Sequence, residues 1–194
     1  MNKRITKVGR KTRETEVNVE LNIDGEGEFK VDVTQEFFKH MLETFTKQGM
    51  FDLKIKAGEF SRPDDHHLVE DVGLVLGEAF KTALGEKRGI NRYGFFILPM
   101  DDALALISVD LGGRPFCSVE ASFEREKVGE FSTELVYDFF KAFSDASCSN
   151  VQVILLRGRN DHHKIEAIFK AFGRAMRMAC ERNSAGIPST KGVL

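Results

Sequence analysis

The chain has 194 residues, 42% of them hydrophobic, enough to bury the core of one large domain or two small fused ones. Lys+Arg 28 against Asp+Glu 30 leaves a formal charge of -2, so the basic footprint needed to grip a phosphate backbone is missing and a nucleic-acid role has no electrostatic support. Cys117, Cys148 and Cys180 are far apart and lack a C-x-x-C spacing, which suits reduced thiols in a cytoplasm, and without a long apolar run we expect neither a secretory leader nor a membrane span.

Residues 3–9, 13–23 and 27–34 read as strands: T-E-V-N-V-E-L-N-I alternates apolar with polar, and the DGEG turn at 24–27 predicts a hairpin or meander opening. Phe37, Met41, Leu42 and Phe45 predict a helix over 36–48, stopped by Gly49, after which FDLKIKA alternates again as a strand. A longer helix is expected from about Asp65 to Leu84, with Leu68, Val72, Leu76 and Phe80 in its buried stripe and Gly85 near its end. The second half repeats the order. Strands are expected at 92–98, 103–110 and 115–123, a helix in FSTELVYDFFKAFSDA, a strand in NVQVILLRG and a closing helix from His162 to Cys180.

The two long helices match residue for residue, because His162, His163, Glu166 and Gly173 each stand 96 positions after His66, His67, Glu70 and Gly77. Such a constant offset predicts an internal duplication of two half-domains, 1–90 and 91–182, followed by a polar tail at 183–194. Each half is expected to be a small antiparallel sheet covered by two helices. The fold class is therefore α+β, a two-layer sandwich around one shared core.

Residues four apart share a helix face, so His66 with Glu70 and His162 with Glu166 each form a two-ligand claw, while His67 and His163 turn away by about a quarter circle. Each helix can thus address two metal ions. Imidazole plus carboxylate suits manganese, iron, zinc or cobalt, and no thiolates specify a structural zinc. A single His-x-x-x-Glu is ordinarily a surface hydrogen-bonded pair. Two doubled copies holding four of the five histidines reserve that residue for ligation. The fifth, His40, lies among phenylalanines in FFKHML; alone it reads as a core histidine, and the other four shift it toward ligation.

Together HHLVED, HHKIEAIFKAFGRA, FFKHML, GINRYGFFILPMDDAL, DLGGRP and IPSTKG resemble the imidazoleglycerol-phosphate dehydratase family over almost the whole chain. The resemblance implies a ribosomal protein S5 domain 2-like fold and a lyase that dehydrates D-erythro-imidazoleglycerol phosphate to imidazoleacetol phosphate in L-histidine biosynthesis. It implies two manganese ions (Mn2+) per active site, located at subunit contacts in a cage of twenty-four identical chains. By position, it makes His40, His66, His67, Glu70, Asp138, His162, His163 and Glu166 metal ligands. Asp138 stands where the family usually has histidine, and a carboxylate oxygen can fill that position on manganese. Lys39, Thr44 and Gln152 replace a usual aspartate, glutamine and histidine; Lys39 also removes a possible carboxylate partner for His40. The resemblance further implies Arg92, Arg114, Ser189 and Lys191 as the phosphate site, Asp101 as a hydroxyl- or ring-orienting residue, and Glu14, Glu70 and Glu166 as acid–base candidates. Taken singly, each Arg or Lys is a solvated charge, Asp101 a turn residue and Glu14 a strand carboxylate.

The chemistry explains why two doubled clusters would be needed. Dehydration must remove a weakly acidic C–H proton beside the imidazole ring and expel a hydroxyl, and ions on both ring nitrogens would make the ring an electron sink. Two rivals share some features. A dinuclear phosphohydrolase would lean on carboxylates around a bridging water rather than on histidines, and a non-catalytic metal-binding assembly protein would have no use for the phosphate set.

Overall fold

The computed structural model describes residues 4–60, 65–183 and 186–192; position 3 of the first expected strand and positions 184–185 and 193–194 of the tail lie outside them. In the first half, strands β1 (Ile5–Lys11), β2 (Thr15–Asn22) and β3 (Phe29–Asp32) precede helix α1 (Glu36–Gly49), strand β4 (Asp52–Glu59) and helix α2 (His66–Leu84). Alternation does what was expected of it: Val17, Val19 and Leu21 of β2 face inward with Leu53 and Ile55 of β4, beneath the helices. The sheet order is β1-β2-β4-β3.

Two expectations fail here. β3 makes no hairpin with β2; it pairs in parallel with β4, Val31 opposite Ile55, so the sheet is mixed rather than antiparallel. The cause is α1, which carries the chain across between β3 and β4 and lets them run the same way. The DGEG segment is instead a loop pinned from outside, with Glu26 N and Glu28 N donating to Asp52 Oδ1 at 2.8 and 3.2 Å.

The second half runs β5 (Tyr93–Met100), β6 (Ala103–Asp110), β7 (Phe116–Glu120), β8 (Lys127–Val128), β9 (Phe131–Ser132), α3 (Leu135–Ser147), β10 (Asn150–Arg157) and α4 (Asp161–Cys180). Its sheet order, β5-β6-β10-β7 with β7 parallel to β10, copies the first. Helix α3 begins at Leu135, not Phe131, because Phe131 and Ser132 pair with Lys127 and Val128 around Gly129, whose φ of 61° allows the tight turn. Buried positions of α1 and α3 correspond at an offset of 98: Phe38, Met41, Leu42 and Phe45 recur as Val136, Phe139, Phe140 and Phe143. The hairpins correspond at 88, since Val8 faces Val19 as Phe96 faces Ile107.

The helices pair across the halves. A Cβ on Gly77 of α2 would lie 2.6 Å from Phe143 O of α3, and one on Gly173 of α4 would collide with Phe45 O of α1, so both seams bring backbone against backbone. Where the four helices meet, Phe45, Phe80, Phe143 and Phe172, one from each, close a ring with centroids 5.0–6.1 Å apart. One shared core results.

Candidate metal centre

Crossed pairing decides which ligands meet. Because α1 packs on α4, His40 from the first half reaches His162 and Glu166 from the second: His40 Nε2 is 3.5 Å from Glu166 Oε1 and His162 Nε2 is 3.2 Å from Glu166 Oε2. One ligand atom from each lies within 4.8 Å of the others, and among the described residues this is the trio that could close on an ion. Two imidazoles and a carboxylate fit a borderline divalent cation. Phe37 holds the His162 ring edge-on at 5.1 Å. Burial alone would raise the Glu166 carboxyl, but the Lys170 ammonium at 2.8 Å, helped by His40 and His162, brings it below the usual carboxylate range.

The mirror arrangement forms where α2 packs on α3. His66 Nδ1 lies 3.7 Å from Asp138 Oδ2, with Glu70 half-buried one turn beyond His66. This cluster is looser than the first. His67 and His163 point elsewhere, as the helical geometry requires, and each meets a carboxylate from the hairpin of its own half. His67 Nδ1 lies 2.8 Å from Glu14 Oε2, close but not aligned as a hydrogen bond. His163 Nδ1 donates to Asp102 Oδ1 at 2.7 Å, and its Nε2 is 3.3 Å from Asp101 Oδ2. Glu14 and Asp102 stand 88 positions apart, the hairpin offset, so the same device is built twice.

These carboxylates are themselves held. Asp102 Oδ2 accepts from Asn160 N at 3.0 Å and from Arg159 N, and its bond to His163 heads the causes that hold its carboxyl far below the usual range. An ionised carboxylate only accepts, so the proton sits on His163 Nδ1 and leaves Nε2 basic for a ligand. Thr12 Oγ1 takes Glu14 N at 3.0 Å and Thr15 N at 2.9 Å, while buried Asp71 of α2 receives Arg10 Nε at 2.7 Å and the Thr15 hydroxyl, tying the first hairpin to the helix. Asp161, at the head of α4, is buried with Lys164 at 2.7 Å and accepts Glu124 N and Arg125 N at 3.0 and 2.8 Å. Burial would raise that carboxyl, and the Lys164 bond with the two amides brings it down instead.

The residues expected to grip phosphate lie elsewhere in the chain. Arg92 N donates to Ala179 O near the end of α4, thirteen residues beyond Glu166, which puts it about 20 Å away along the helix. There Arg92 makes a bidentate pair with Asp110, Nε at 2.7 Å and Nη2 at 3.0 Å, while Nη1 donates to Pro188 O at 3.1 Å. Arg114 is exposed just past β6, and Lys191 N donates to Ser189 Oγ at 3.2 Å in the adjoining tail. The four gather at one end, with Asp101 at the other. Lys39 leans to Glu36 at 3.4 Å, Thr44 bonds its own helix at Met41 O, and Gln152 lies on the outer face of the second sheet beside Asn150. Asp102, Asp110, Asp71 and Lys170 were not singled out from the sequence; for Asp102 and Lys170 the signals were the DD turn at the position equivalent to Glu14 and the i+4 spacing from Glu166.

A duplicated α+β chain whose histidine claws are each approached by a helix from the opposite half has, in His40, His162 and Glu166, a candidate metal site. The sequence model of the imidazoleglycerol-phosphate dehydratase family matches residues 33–176. The chain is 47% identical over 194 residues to the imidazoleglycerol-phosphate dehydratase of Caldicellulosiruptor saccharolyticus and 50% identical over 195 residues to that of Clostridium botulinum strain Alaska E43, covering 100% of each and of itself. The crystal structure of IGPD from Pyrococcus furiosus in complex with (S)-C348 superimposes with a TM-score of 0.84 at 35% identity, over 96% of this chain and 99% of that one. The chain belongs to the imidazoleglycerol-phosphate dehydratase family, whose members are dehydratases of histidine biosynthesis.

Proposed function

We propose that this dehydratase works with two manganese ions, one served by His40, His162 and Glu166 and the other by His66, Glu70 and Asp138, with His67 and His163 turned toward ions shared with a neighbouring copy. The observation that carries the reading is the meeting of His40, His162 and Glu166 from opposite halves within 4.8 Å. When bound, such ions supply Lewis acidity to an azole ring and to a departing hydroxyl. The protein's own residues do the rest. Asp102 keeps the His163 proton on Nδ1, and Glu14, half-buried at a hairpin tip, is the carboxylate we assign to proton transfer, with Glu70 and Glu166 as the helix-borne alternatives. Asp101, beside His163 Nε2, is placed to orient a substrate hydroxyl or ring.

The phosphate end requires a second chain. Arg92, Arg114, Ser189 and Lys191 gather too far along α4 from Glu166 for a three-carbon side chain to span within one copy. We therefore assign those four to the phosphate of a substrate bound at a neighbour's histidines, within a homo-oligomer that the family resemblance makes a twenty-four-chain cage. The outer faces of the two sheets support association: the first carries Glu16, Glu20, Lys54 and Lys56, whereas the second exposes Phe95 and Ile97 beside Leu106 and Ile154. No helix among the described residues is long and apolar enough to cross a membrane. Three unpaired cysteines and a biosynthetic role suit the cytoplasm.

The test is elemental analysis of active protein together with an assay on imidazoleglycerol phosphate and on a generic phosphomonoester. Manganese-dependent formation of an enolisable ketone is expected. Full activity in metal-free protein, or release of free phosphate without ketone, would overturn the reading.

A further inference from the structure

The correspondence that equates the two halves also shows where they differ. His40 and Asp138 occupy the same place on α1 and α3, 98 positions apart like the buried residues around them. His162 and Glu166 correspond to His66 and Glu70 at the α2–α4 offset. The α1–α4 cluster therefore offers two imidazoles and one carboxylate, and the α2–α3 cluster one imidazole and two carboxylates. Charge widens the gap. Lys170 sits 2.8 Å from Glu166, whereas Leu74 fills the matching position on α2. The first cluster thus pairs one carboxylate with a cation, and the second has two carboxylates and no cation at that place.

Imidazole favours zinc, iron and copper, while oxygen donors with more negative charge favour manganese and magnesium. We propose that the two centres are chemically unequal: His40, His162 and Glu166 select a nitrogen-preferring ion, and Asp138, His66 and Glu70 an oxygen-preferring one. The inequality rests on the two-ion reading above and goes beyond it. A chain with two alike centres exchanges both ions together; this one exchanges them one at a time, so a zinc pulse replaces one ion and leaves the other in place.

The experiment loads the full-length protein with manganese, titrates zinc, and follows released manganese by its electron paramagnetic resonance signal. Two equivalents per chain are expected to load and to leave in two steps, separated by at least about tenfold in zinc concentration, the scale on which even outer partners of ligands shift affinity. Asp138→His should bring the later step down toward the lower zinc concentration, and His40→Asp should push the earlier step up toward the higher one, each narrowing the gap to what Lys170 alone leaves. Because the two variants alter different helices, one suffices if the other fails to fold. Two equivalents leaving the wild type in one step, or a gap as wide as the wild type's in a folded Asp138→His or His40→Asp protein, would overturn the inequality and spare the two-ion reading. Loading of fewer than two equivalents would overturn both.

Discussion

Gly77→Ala tests whether the α2–α3 seam governs both stability and one metal centre. The added methyl would stand 2.6 Å from Phe143 O and 3.0 Å from both Ala146 Cβ and Ser147 N. Comfortable contact needs roughly 3.5 Å, so the carbonyl must retreat by nearly 1 Å, and a helix carbonyl cannot rotate aside as a side chain can. Alanine recovers about 1 kcal/mol of helix propensity over glycine, while overpacking costs typically 1–3 kcal/mol and backbone obstruction places this case at the upper end. The net loss is about 1–2 kcal/mol, or a fall of about 3–6 °C in Tm for a domain of this size. The His66–Asp138 separation of 3.7 Å spans the same seam and should widen with it. Thermal unfolding in chelator at fixed protein concentration reads the first effect, and manganese stoichiometry the second: the α2–α3 ion weakens while the α1–α4 ion stays. Gly58→Ala is the control, because nothing lies within 4 Å of its added methyl. A Gly77→Ala protein melting at or above the wild type with both ions intact would show that the helices do not meet there.

Other substitutions probe the remaining links. Glu166→Gln should retain the fold, lower manganese affinity at the α1–α4 centre at least about tenfold and abolish turnover, read by metal analysis and activity. Asp102→Asn should free the His163 tautomer and weaken metal binding by about 10–100-fold with little change in Tm, read by calorimetric titration. Asp110→Asn loosens the fork that aims Arg92, and should raise KM for the phosphate substrate about tenfold while kcat changes less than about threefold. Asp161→Ala strands buried Lys164 and two amides, at a cost of about 3–5 kcal/mol near neutral pH, seen as a large fall in Tm. Since the fold lowers the Asp161 carboxyl, its contribution is present above the unfolded value of about 3.9 and fades as pH falls through the folded one; the variant should lose that part of the acid limb.

Much of this was legible along the chain because short-range rules decided it. Alternation placed β2, β4, β6 and β10 within a residue or two, and the fourfold spacing of His66 with Glu70 and His162 with Glu166 needed only helical geometry. What could not be read depends on which element lies against which. Nothing local in FKVD says that β3 will run parallel to β4, since its partners stand twenty-four positions on. The partner of His40 is hidden for the same reason: α1 could have packed on α2, and the close backbone approach at Gly173 with the Phe45–Phe172 stack seats it on α4. Asp110 reads as the end of an alternating strand, and only folding brings the Arg92 fork to it.

Crossed helix pairing has a consequence for how a duplicated enzyme diverges. Had each half folded on itself, a change in one α1-type helix would have altered a centre made wholly of its own repeat. Here each cluster takes one arm from each half, so a substitution at position 138 meets His66 but leaves His40, His162 and Glu166 untouched. The hairpin carboxylates stay within their own halves, Glu14 on His67 and Asp102 on His163, apart from the crossed clusters. On the proposed two-ion reading, an aspartate at 138, where the resembled family usually has histidine, shifts one centre toward oxygen donors without unfolding the shared core, because that side chain lies outside the phenylalanine ring that joins the four helices.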